Sequence, residues 1–148
     1  MKRFSVCHRS GWGISALGRV VAAAVLVVGS AAAVSAAGPD ARQLLETAGV
    51  EGGVVVHVGC DDPQLLAALR ATPSFLVQGI TQDESELAAA REFLRSRGVY
   101  GPVSVVPYSG THLPYIDNFV NLVIVGEGRQ VAKDELLRVL TPGGVALI

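Results

Sequence analysis

Gly53-Val54-Val55-Val56-His57-Val58-Gly59-Cys60-Asp61-Asp62-Pro63 is the stretch that decides the fold. Four valines and a histidine, closing on a glycine with a helical pattern behind it, read as a buried strand, a tight turn and a helix N-terminus. In an open α/β sheet such a corner faces the crevice where a ligand binds, because strand ends and the free N–H groups of the helix meet there.

Working outward, residues 62–71 are predicted to be a helix with Leu65, Leu66 and Leu69 inward and Asp62 at its positive end. Residues 75–80 read as a second strand. Residues 83–97 read as a longer amphipathic helix with Leu87, Ala90 and Leu94 inward, ended by Gly98. Residues 103–106 and 119–125 are a third and a fourth strand joined by the loop 107–118. A helix is expected over 131–140, stopped before Pro142, and a fifth strand over 144–148. Upstream, residues 37–52 form a leading helix and linker, with Asp40 as N-cap and Gly49 as stop. Strand and helix alternate throughout. That pattern predicts an α/β fold, a Rossmann-like three-layer sandwich with a mainly parallel sheet and right-handed crossovers. A chain that stops within a buried strand is expected to be a fragment, its sheet incomplete at the C-terminal edge.

The first residues stand apart from this pattern. Lys2, Arg3, Arg9 and Arg19 precede 18 uncharged residues, 20–37, which end in Val34-Ser35-Ala36-Ala37. A basic start, an apolar middle and a small-residue end predict a signal peptide over 1–36, cut after Ala36 or Ala37, with an uncleaved anchor as the alternative. The expected location is therefore exported, periplasmic or secreted, and the membrane is met only through this segment. Its removal leaves eight Lys and Arg against thirteen Asp and Glu, a net charge of −5. An acidic domain with scattered arginines is unsuited to nucleic acid, which demands a basic face. Cys60 would be the one cysteine left, and His57 and His112 share no ligand spacing with it, so neither a disulfide framework nor a metal site is expected.

Three segments resemble the class I S-adenosylmethionine-dependent methyltransferases, of the type 11 kind. The most specific runs Glu135-Leu136-Leu137-Arg138-Val139-Leu140-Thr141-Pro142-Gly143-Gly144-Val145-Ala146-Leu147-Ile148 and is similar to the family's helix, Pro-Gly-Gly turn and fifth strand. Leu113-Pro114-Tyr115-Ile116-Asp117-Asn118-Phe119-Val120-Asn121-Leu122-Val123 resembles its loop and fourth strand, and Val56-His57-Val58-Gly59-Cys60 its opening strand. The resemblance covers 53–148 in the family's order. It implies S-adenosylmethionine as cofactor, with binding positions at His57, Gly59, Cys60, Asp61, Thr81, Gln82, Ser109 and Gly110.

Several of these positions depart from the family's residues. His57 stands where the first strand ends in an acid, and the three loop glycines are Gly59, Asp61 and Pro63. Asp61 would bring a carboxylate near the cofactor's own, and Pro63 adds a ring and removes an N–H, so both are expected to intrude on the crevice. Thr81 replaces the acid that holds the ribose diol, and a hydroxyl cannot form the bidentate pair. Asp83 could reach in from two residues on, or simply cap the next helix. Ser109 takes the place of an acid near the adenine, and Asn121 that of an acid on the fourth strand.

The residues also have structural readings. His57 lies in a hydrophobic strand and reads as a satisfied core group, Cys60 as packing, and His112 and Tyr115 as surface residues of the loop. Methyl transfer requires no protein nucleophile, because the sulfonium supplies the leaving group, so no catalytic residue is assigned. The residues name no methyl acceptor. The function read here is an S-adenosylmethionine-dependent methyltransferase-type domain with altered cofactor positions. The alternative is a non-catalytic exported module built on the same fold, since the cofactor is made in the cytoplasm. A nicotinamide-binding domain is set aside, because Gly59-Cys60-Asp61-Asp62-Pro63-Gln64 lacks Gly-x-Gly-x-x-Gly. Domains with such a histidine-containing strand also resemble parts of larger exported bacterial proteins, which implies a downstream β-propeller as a partner.

Overall fold

The computed structural model describes residues 3–5, 40–110 and 112–148. Their elements are β1 (Arg3–Ser5), α1 (Ala41–Ala48), β2 (Gly53–Val58), α2 (Pro63–Leu69), β3 (Phe75–Thr81), α3 (Glu84–Ser96), β4 (Val103–Pro107), β5 (Val120–Val125), α4 (Lys133–Val139) and β6 (Leu140–Leu147). The strands form one open sheet in the order β1-β6-β5-β2-β3-β4, and each neighbouring pair is parallel.

Valine-rich strands are apolar on both faces and must be covered on both. One face carries α1, α2 and α3, whose Leu45, Leu66, Leu69, Ala90 and Leu94 pack on Val55, Val77, Val105, Leu122 and Ile124. On the other, Leu136 and Val139 of α4, with Tyr108 and Leu113, pack on Val56, Val58, Ile80, Val123 and Ala146. This is the three-layer arrangement that the alternating pattern predicts. The ends of the first three helices follow the sequence reading closely. Asp40, Asp62 and Asp83 are N-caps whose side chains accept backbone N–H groups, and Gly49 closes α1 in the left-handed region at φ 64°.

The last helix and strand differ from expectation. Helix α4 spans Lys133–Val139, and Leu140 is already extended and paired with Val120. Residues Thr141, Pro142, Gly143 and Gly144 then loop out, with Gly143 at φ 88°, before Val145 resumes pairing opposite Leu122. Proline lacks the N–H for a ladder bond and glycine accepts the left-handed turn, so Pro-Gly-Gly makes a bulge within β6. The fourth strand begins at Val120, one residue later than predicted. Phe119 is exposed and follows Asn118, which has a positive φ of 56°.

Of the segment 1–36, which the sequence pattern predicts to be a signal peptide, the described residues are Arg3–Ser5, which pair with Val145–Leu147 at the edge of the sheet. The rest of that segment, including the expected cleavage position and Cys7, lies outside the described residues. Among the described residues, no helix is long and apolar enough to cross a membrane.

Candidate functional site

Strand β2 ends at the centre of the sheet, between β5 and β3. Gly59 follows it with φ 107°, a conformation that L side chains resist, while its N–H donates to the Ile80 carbonyl at 2.8 Å. A Cβ at Gly59 would lie 3.2 Å from Asp61 Oδ1 and 3.5 Å from Arg129 Nε. Above this corner opens a crevice of about 370 Å³ lined by Val58, Gly59, Ile80, Thr81, Gln82, Tyr108, Gly128, Arg129 and Gln130. It lies at the carboxyl ends of the strands, where the sequence places a ligand.

His57 sits beneath the corner, only 4% exposed, with Nδ1 2.7 Å from the Gly59 carbonyl. A carbonyl only accepts, so Nδ1 carries the proton, and burial holds the ring's pKa below its ordinary value. The imidazole is thus a neutral brace for the glycine turn. Cys60 turns its sulfur toward the core, where a Cβ on Gly79 would meet it at 2.8 Å; burial pushes the thiol up to about 12. Both residues have the structural roles assigned from sequence.

Thr81 ends β3 and lines the crevice, but its hydroxyl does not stand alone. It donates to Glu86 Oε2 at 2.6 Å, and the same oxygen accepts from the Cys60 N–H at 3.4 Å. Glu86 Oε1 is paired with Arg129. The Thr81 hydrogen bond does most to hold the Glu86 carboxyl below its usual pKa, against a burial that pushes it up; the Arg129 contact acts in the same direction as Thr81. An acid from the first turn of α3 therefore backs the end of β3, held behind Thr81 and Arg129, which line the crevice while Glu86 itself does not. Asp83 does not supply it, since its Oδ1 caps α3 by accepting from the Ser85 and Glu86 N–H groups at 2.7 and 3.1 Å.

The altered loop positions are less obstructive than the sequence implies. Pro63 is the first residue of α2, where the missing N–H costs nothing, and neither it nor Asp61 is among the crevice-lining residues. Asp61 is exposed and leans over Gly59. Gln82 lines the crevice and packs against Gly110, whereas Ser109 is exposed and outside the lining. Its neighbour Tyr108 lines the crevice instead. It is 7% exposed, and its buried hydroxyl has no hydrogen-bond partner among the described residues. Asn121 lies at the far end, where Oδ1 accepts the Val54 N–H at 2.9 Å, and is a strand-register contact.

Glu86, Tyr108 and Arg129 were not identifiable from the local pattern. The available signal is the glycine pair around Glu127: Gly126 approaches Val58 O so closely that a Cβ would lie 2.8 Å from it, and Gly128 has φ 72°. The resulting turn, closed by Arg129 N–H to Gly126 O at 3.1 Å, brings Arg129 back to the crevice.

The long loop 108–118 is fastened to α4. Glu135 accepts the Leu113 N–H at 2.7 Å and pairs with Arg138, which also donates to the Leu113 and Tyr115 carbonyls and to Asp117. Arg138 chiefly, with the Leu113 N–H, holds the Glu135 carboxyl down at about 2 despite burial. His112 is exposed at 3.6 Å from Glu135. Tyr115 is half-buried and donates its hydroxyl to Gln78 Oε1 at 2.6 Å, so it is more than a surface residue. No group of three or more His, Cys, Asp and Glu gathers at metal-binding distance among the described residues.

No family model matches the sequence. The ubiquinone/menaquinone biosynthesis C-methyltransferase UbiE of Yersinia pestis is 39% identical over 72 residues, 45% of this chain and 29% of the relative. UbiE of Photorhabdus laumondii gives the same identity and coverage. The match thus spans less than a third of the length of these relatives. Among solved structures, an S-adenosylmethionine-dependent methyltransferase of Methanococcus maripaludis superposes with a TM-score of 0.62 at 16% identity, over 72% of this chain and 53% of its own. Geranyl diphosphate C-methyltransferase of Streptomyces coelicolor also gives 0.62, at 18% identity, over 70% and 42%. The [4+2]-cyclase SpnF does so at 26% identity, over 72% and 42%. Sequence similarity and architecture agree: over 72 residues the chain is similar to UbiE-type C-methyltransferases, and it carries the class I fold of the S-adenosylmethionine-dependent methyltransferases.

Proposed function

We propose that this chain is a methyltransferase-type domain that binds S-adenosylmethionine in the crevice above β2 and β3, with Glu86 in place of the missing acid at the end of β3. The observation that carries this reading is the Glu86 carboxylate held by the Thr81 hydroxyl at 2.6 Å. A charged carboxylate oxygen accepts a ribose hydroxyl more strongly than a threonine hydroxyl can. The other residues fit as well. Gly59 leaves open the space that a Cβ would fill, and Tyr108 contributes to the crevice wall. When bound, the cofactor supplies an electrophilic methyl and its own leaving group. The chain's part is to bind, align and exclude water.

The test is calorimetric titration with S-adenosylmethionine. Affinity in the micromolar range, about −8 kcal/mol, is expected for the native chain. Glu86→Gln, which leaves one acceptor oxygen and no charge, should weaken it by about tenfold. No binding at millimolar ligand by a folded chain would overturn the reading in favour of a non-catalytic module. The N-terminal pattern further supports export, with Ala36 or Ala37 as the last residue removed.

A further inference from the structure

The strand order β5-β2-β3 puts the turn after β5 and the start of α3 on opposite sides of the Gly59 corner. Arg129 comes from the first and Glu86 from the second, and their side chains meet across the end of β2. We propose that this ion pair is an internal plug, in which Arg129 takes the carboxylate oxygen and the space over Gly59 that an entering nucleoside needs, so that the ligand binds only by displacing it. The inference builds on the cofactor reading above.

Four features support displacement rather than a permanent brace. Glu86 Oε2 has two donors of its own, Thr81 Oγ1 and the Cys60 N–H, so the carboxylate keeps its place without Arg129. Oε1 is held by Arg129, and with Oε2 already taken it is the oxygen that a ribose hydroxyl would have to reach. The guanidinium arm crosses the corner, with Nε and Cγ 3.5 and 3.6 Å from the position of a Gly59 Cβ. Arg129 itself is 31% exposed at the side chain and stands on a turn of two glycines, so it can swing to solvent. A pair this accessible is weak enough to be exchanged for ligand.

Adenosine separates the plug from the simplest alternative, an arginine that anchors the cofactor's carboxylate, because adenosine has the diol and no carboxylate. The full chain and its Arg129→Ala and Arg129→Gln variants are titrated with adenosine and with S-adenosylmethionine, and folding is checked by circular dichroism. Both variants should bind adenosine about two- to fivefold more tightly than the native chain. Native affinity for adenosine should also rise between about 0.05 and 0.5 M salt, as the ion pair is screened, and that of the variants should not. Unchanged or weaker adenosine binding by variants of a native chain that does bind overturns the plug alone. So does a loss confined to S-adenosylmethionine, which would make Arg129 an anchor. Failure of all three chains to bind either ligand overturns the cofactor reading together with the plug.

Discussion

His57 braces the Gly59 carbonyl from a position where the family resemblance implies an acid, and the consequence can be measured. Burial lowers its folded pKa, so above about 6.5, the ordinary imidazole value, both folded and unfolded chains hold it neutral. Below that value the unfolded chain takes up a proton that the native state resists, and stability falls as pH drops from 6.5 toward the lowered folded pKa. His57→Phe removes this titration and leaves the Gly59 carbonyl without its donor. We expect a loss of about 1–2 kcal/mol at pH 8 and a flatter stability profile between pH 5 and about 6.5, read by urea denaturation across pH. An unchanged slope would mean that the ring is not a buried neutral group. The histidine's structural role was legible because it interrupts a run of valines. Glu86 was not, because its significance depends on a hydroxyl from β3 and a guanidinium from the turn after β5, and no local spacing encodes that meeting.

Most elements were readable because the physical signals are local. Strand β2 is a valine run, and α3 places Ala90 and Leu94 inward between an aspartate cap and a glycine stop. The junction of α4 and β6 was not, since pairing with Val120 draws Leu140 into the sheet before the Pro-Gly-Gly excursion. The same helix clamps the β4–β5 loop through Glu135 and Arg138. Arg138→Met, which keeps the aliphatic packing, strips donors from the Leu113 and Tyr115 carbonyls and the partner from a buried carboxylate. It should cost about 1–3 kcal/mol and raise hydrogen exchange over residues 113–118. Glu135 has a depressed folded pKa, so its contribution is complete above its ordinary value of 4.5 and is lost as pH falls toward about 2. The native chain should therefore lose stability faster than Arg138→Met over that interval, and parallel acid titrations would show that the clamp is not what holds the carboxyl down.

At the scale of the whole molecule, the N-terminal residues face two incompatible demands. Arg3–Ser5 form the edge strand beside β6, with Arg3 opposite Val145, Phe4 opposite Ala146 and Ser5 opposite Leu147. Cleavage after Ala36 or Ala37, as the signal pattern predicts, removes that strand. The crevice does not depend on it, because its lining comes from residues 58–130, and β6 keeps its pairing with β5. A chain beginning at Gly38 should therefore fold and bind adenosine within about twofold of the full chain. The backbone groups of Val145–Leu147 that faced β1 pass to solvent, so their amides should exchange faster while those of β2 and β3 do not. Hydrogen exchange on both chains, with calorimetry on the same samples, makes the comparison. Failure of the shorter chain to fold would make β1 indispensable, and an intact N-terminus on protein recovered from the cell envelope or medium would then decide against cleavage, leaving the segment as an anchor.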